Sequence, residues 1–252
     1  MGLFKGGNPA ISEKTFEKVH QYEGDVMTVR GTINKFGMMM LFLFGAAAFT
    51  WNIFYLQGQQ AVAPWMWGSM IAGFVLALVI IFKKTWAPYL AVGYALCQGL
   101  FLGAISAFYD FAFAERYPSI IMHAVLLTMG IAAAMYILYQ TGVIKATGKF
   151  KKVVLLATFG IGIFYLITIV LRMFGIAMPY LHDSSPIGIG ISLFIVVIAA
   201  LNLILDFDMI EQGAASGAPK YFEWYGAFGL LVTIVWLYLE ILRLLSKLSS
   251  RD

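Results

Sequence analysis

The chain has 252 residues, of which 61% are hydrophobic and only 12% charged, about half the ~25% charged share that wets a soluble domain. That composition excludes an ordinary water-soluble globule and predicts an exterior that faces lipid. The net charge of +4 comes from bases scattered over short loops, which leaves no footprint for nucleic acid, and the single cysteine, Cys97, excludes an internal disulfide.

Residues 1–35 form a polar arm with charges of both signs and without the apolar core of a signal peptide. Within it Ser12 is placed to cap a short surface helix from Glu13 to about Tyr22. Residues 36–245 carry seven apolar runs: Phe36–Leu56, Trp65–Phe82, Pro88–Tyr109, Ile120–Tyr139, Val153–Leu171, Ile187–Leu205 and Tyr225–Leu245. Each is near the ~20 residues that a helix needs to cross ~30 Å of hydrocarbon. They are too long and continuous for barrel strands, which alternate over about 10 residues. The expected fold is therefore an all-α integral membrane protein of seven transmembrane helices, closed by a short tail at 246–252. Gly99 with Gly103, Gly160 with Gly162, and Gly188 with Gly190 are small residues at which helices can approach closely.

Cytoplasmic loops are enriched in Lys and Arg. Twelve of the seventeen bases, among them Lys5, Lys35, Lys83, Lys84, Lys149 and Lys220, fall on the N-terminal side, which predicts that side to be cytoplasmic. Arg116, Arg172, Arg243, Lys247 and Arg251 dissent. Three of these five lie at the C-terminal end of the chain, so a re-entrant last segment or a count of six, with both ends inside, is the alternative.

Ionisable groups inside hydrocarbon cost at least ~2.5–3.5 kcal/mol at mid-helix and usually face a bundle interior or a water path. They concentrate in two stretches, Asn202–Glu211 and Trp236–Arg243. Asn202 and Asp206, four apart, share one helix face. Asp208 is turned about 200° away and with Glu211 belongs to another face, expected at the water boundary. Glu240 shares a face with Thr233, two turns earlier. Either it turns inward to meet Asp206, or it pairs with Arg243 at i+3 near the interface. Two carboxyl groups meeting in a dry bundle would share a proton and titrate as a unit. With Asn202 and water they would offer calcium, which prefers 6–8 oxygens, only a weak and transient site. His20, His123 and His182 are dispersed, no nucleophile–base grouping is legible and no phosphate loop occurs. Neither an enzyme nor a cofactor is expected.

The sequence resembles the Bax inhibitor-1 (transmembrane Bax-inhibitor-motif) family in its bacterial branch. The likeness is carried by Asp206-Phe207-Asp208-Met209-Ile210, by Tyr238-Leu239-Glu240 and, more weakly, by Ala91-Val92-Gly93-Tyr94-Ala95 after Lys83 and Lys84. The resemblance implies a bundle with its last helix central, acting as a pH-sensitive passive calcium leak of the bacterial inner membrane. It assigns the pH-sensing latch to Asp206 and Glu240, with Lys83 or Lys84 engaging it. The chain departs from that pattern in having Glu240 in place of the usual Asp, a long link from Asp206 to Trp224 and an extended N-terminal arm. The arm suggests a rival reading, in which the protein carries no ion and instead regulates another membrane protein, such as a quality-control protease.

Overall fold

The computed structural model describes residues 25–175 and 185–250. Its elements are α1 (Val29–Gln57), α2 (Gln59–Phe82), a 3-10 turn (Lys84–Trp86), α3 (Ala87–Phe113), α4 (Ile120–Gln140), α5 (Gly148–Met173), α6 (Pro186–Ala215) and α7 (Phe222–Ser249). All seven long helices are apolar enough to span a membrane. The surface helix expected within Glu13–Tyr22, together with His20 and His182, lies outside the described residues.

Every helix includes its apolar run, and several extend well past it. α1 starts seven residues before Phe36 because Thr28 caps it, its Oγ1 accepting from the Gly31 amide at 3.0 Å. Thr147 and Ser185 cap α5 and α6 in the same way, at 3.3 and 3.1 Å, and Pro186 occupies the first helical position of α6. α1 passes to α2 through Gly58 alone, at φ 89°, a conformation that suits glycine. The largest extension is in α6, whose 30 residues run to Ala215. Asp206 therefore lies inside the helix rather than at its end, and the long link expected after it shrinks to residues 216–221.

α7 is the axis of the bundle, packing against α1, α3, α4 and α6, and it is the most buried of the spans. Its Leu231, Leu237 and Leu242 are nearly sealed from solvent, and Phe228 meets Tyr94 of α3 edge-on with ring centroids 4.8 Å apart. α1 and α3 pack most closely of all. A side chain at Gly99 would collide with the Leu43 carbonyl, and one at Gly103 with the Ala47 carbonyl. Gly160, Gly162 and Gly190, by contrast, face open space and mediate no close approach. α5 is peripheral, resting mainly on α6 with most of its apolar surface exposed.

Candidate functional site

The charged and polar side chains of the last three helices fall into a series of contacts that follows the α5–α6–α7 interface. Lys151 of α5 pairs with Asp208 of α6, and the Gln212 amide donates to the same carboxylate at 2.7 Å. Two turns further along α5, the Thr158 hydroxyl accepts from the Asn202 amide at 2.7 Å. Another two turns on, Tyr165 donates to Glu240 Oε1 of α7 at 2.8 Å. Residues 151, 158 and 165 thus make one polar stripe at a spacing of seven on an otherwise greasy helix. Asp208 and Ser192, both of α6, bound the series and are 16 residues apart, or ~24 Å at 1.5 Å per residue, most of a ~30 Å hydrocarbon core.

Glu240 is buried, with 2% of its surface exposed. It accepts from Tyr165, from Trp236 Nε1 at 3.2 Å and from Arg243 at 2.9 and 3.0 Å. Arg243 also bonds the Tyr165 hydroxyl and lies over its ring. The i+3 pair with Arg243 therefore forms, but within a four-residue cluster and turned inward rather than toward lipid. One turn beyond, Lys247 is itself buried and reaches α6, donating to the Gly188 carbonyl at 2.9 Å and to Ser192 Oγ at 2.7 Å.

Asp206 turns toward α7 at another level. Thr233 lies beside its carboxyl while donating to the Gly229 carbonyl at 3.3 Å. Asp206 Oδ2 is sealed from solvent and has no hydrogen-bond partner among the described residues. No hydrogen bond joins it to Glu240: Thr233, its neighbour, precedes Glu240 by seven residues, which separates the two levels by ~10 Å along the axis. The carboxyl–carboxyl latch expected from the sequence is absent from this arrangement, because the two helices present their acids at different depths and Glu240 is turned to Arg243, Tyr165 and Trp236. Neither lysine engages either acid. Lys83 sits 4.6 Å over Trp86, and Lys84 sits 5.1 Å over Tyr225. Among the described residues no three His, Cys, Asp or Glu side chains cluster as metal ligands.

The remaining candidates separate as the helical wheel requires. Asp208 and Glu211 face away from Asp206, toward α5 and α4, and Glu211 accepts from Tyr139 and Gln140 at 2.8 Å each. His123 bonds the Ser119 carbonyl at 2.9 Å and packs on Tyr117, an ordinary helix-start contact.

A third buried carboxylate, Glu223, escapes hydropathy because it opens α7 just outside the apolar run. It is fully buried. Oε1 accepts from the amide and hydroxyl of Thr28, each at 2.9 Å, and lies 3.2 Å from Lys220, while Oε2 pairs with Lys35. The segment before α1 is tied to the α6–α7 turn as well. Met27 donates to the Ala218 carbonyl at 2.7 Å and Lys220 to the Asp25 carbonyl at 3.0 Å.

Seven spanning helices, the last of them central, with buried acids on the final pair, define an integral membrane protein of polytopic helical type. The Bax inhibitor 1 like family model matches residues 8–250, nearly the whole chain, and the chain belongs to that family. Comparison with curated proteins and with solved structures finds no match.

Proposed function

We propose that the protein is a passive, pH-sensitive cation leak, with calcium as its permeant ion, seated in a bacterial inner membrane with its N-terminus in the cytoplasm. The observation that carries the reading is the partnerless Oδ2 of Asp206, buried between α6 and α7. A buried carboxyl oxygen without a partner is expensive, and intramembrane acids commonly mark ion or proton pathways. When ionised, Asp206 offers a cation negative charge and a vacant acceptor. When protonated, it becomes a donor and the charge is gone. The latch is then not a pair of acids in contact but two stations: Asp206 as the group that titrates, and Glu240, held by Arg243 and Tyr165, as the fixed station further on. Asn202 and Thr233 supply oxygens beside them, while Asp208 stays on the other face of α6 with Lys151.

The test is calcium flux into liposomes holding the purified protein, measured from about pH 5 to 8. Asp206→Asn is expected to flatten the pH dependence, since an amide cannot titrate in that range. Glu240→Gln is expected to lower flux without abolishing the pH response. Flux no greater than that of empty liposomes throughout the range would overturn the reading.

A second reading, that the protein regulates a partner such as a membrane protease, draws on the ties between residues 25–28 and the α6–α7 turn. A partner that gripped the arm would pull directly on the start of α7. Deleting residues 2–24 separates the two readings: partner capture lost with flux intact favours an added regulatory role, and partner capture in a protein without flux favours the regulator alone.

A further inference from the structure

A cavity of about 310 Å³ lies between α1, α3, α4 and α7, away from the polar series. Its floor is formed by buried Leu43, Leu102, Ile234, Val235 and Tyr238. Its rim is exposed and includes Phe44 and Ala48 of α1 and Met129 of α4. α1 and α4 both lean on α7 but hardly touch each other, so the cavity opens sideways, between two membrane-spanning helices, onto the lipid-facing surface. Polar groups are few among its lining residues, and the hydroxyls are paired. Ser106 and Tyr238 bond each other at 2.6 Å, and Thr128 donates to the Ala124 carbonyl of its own helix at 2.7 Å. Its walls are otherwise apolar and offer water little, and an apolar cavity of even ~150 Å³ stays dry and takes up apolar molecules. The volume is at the small end of the ~300–1,000 Å³ range of ligand sites.

We propose that this groove is a binding site for one acyl chain of a membrane lipid, which enters between α1 and α4 and lies against α7 at Ile234, Val235 and Tyr238. The occupant follows from continuity: the rim is part of the surface that already contacts lipid, and nothing polar in the groove selects a headgroup or a peptide. The site places hydrocarbon against the central helix, two residues from Glu240.

The experiment uses the full chain in vesicles of phosphatidylcholine with a photoactivatable diazirine in one acyl chain, followed by mass-spectrometric mapping of the labelled residues. Label is expected on Ile234, Val235 and Tyr238, which are buried, as well as on Leu155, Leu156 and Phe159 of the exposed α5 face. Val125→Trp, from the α4 wall, is expected to reduce α7 labelling at least fivefold while α5 labelling holds, which also reports that the bundle is intact. Ala48→Phe, at the rim, serves as an independent plug should the first variant fail to fold. Absence of label on α7, or α7 labelling undiminished by the folded plug variants, would overturn the proposal. A dimer in native mass spectrometry that the plugs convert to monomer would also overturn it, by seating a second copy in the groove.

Discussion

Glu223 carries two lysines and a helix cap on one carboxylate that no solvent reaches. Removing it strands the Thr28 amide and leaves Lys35 partly buried without a counter-charge. Glu223→Ala is therefore expected to destabilise the fold by about 2–4 kcal/mol, seen as a lower unfolding temperature in detergent. Lys220→Ala, at the exposed side of the same cluster, is expected to cost at most about 1 kcal/mol. Gly31 belongs to the same node: a side chain there would collide with the Glu223 carboxylate, so Gly31→Ala is expected to mimic the loss of Glu223. At the other cluster, Glu240→Gln leaves Arg243 bonded to Tyr165 but without its charge partner. The expected loss is about 1–3 kcal/mol, which must be allowed for when flux through that variant is compared with wild type.

At the scale of the helix, α5 is the element least committed to the bundle. Its tie to the core is the stripe Lys151, Thr158 and Tyr165, together with Ile161 packed on Ile195 and Ile198. Replacing Thr158 by Val and Tyr165 by Phe leaves the stripe only its Lys151–Asp208 pair, at little change of shape. Backbone amides of α5 are expected to exchange hydrogen several-fold faster in that double variant, with those of α3 unchanged. The same helix illustrates what a sequence carries and what it hides. Its existence is plain from Val153–Leu171, an uninterrupted apolar run that only a spanning helix satisfies. Its true ends are not, because the polar turn at Gly148–Lys152 looks like loop to hydropathy, just as Asp206–Ala215 looks like the far side of α6. The Glu240–Arg243 pair was legible from i+3 spacing alone. Tyr165, Trp236 and Lys247 were not, since a tyrosine or tryptophan in an apolar run reads as packing and a terminal lysine reads as a solvated end. Only the fold shows that all three converge on the same junction of α5, α6 and α7. The spacing that sets Asp206 and Glu240 on two neighbouring helices was likewise readable, but not the depth at which each helix presents its acid.

For the molecule as a whole, an odd number of spans sends the two ends of the chain to opposite faces. With Cys97 replaced by Ala, a single cysteine at position 28 is expected to be shielded from an impermeant maleimide in intact cells, and one at position 250 to react with it. Equal shielding of both would favour the re-entrant seventh segment that the basic C-terminal residues suggest. The uneven burial of the spans has its own bearing on how lipid meets the protein. α1, α3, α6 and α7 form the inner bundle, whereas α2, α4 and α5 present most of their surface outward, so a change in bilayer thickness acts first on those three.

α7 is moored twice: at its start by Glu223 to Thr28 and Lys35 of the first span, and near its finish by Glu240 to Tyr165 and by Lys247 to the head of α6. A rod fastened at both tips can neither turn nor slide without releasing charges into hydrocarbon. The central helix is thus the stator of this assembly, and the freedom to shift belongs to the helices around it, of which α5 is the least buried.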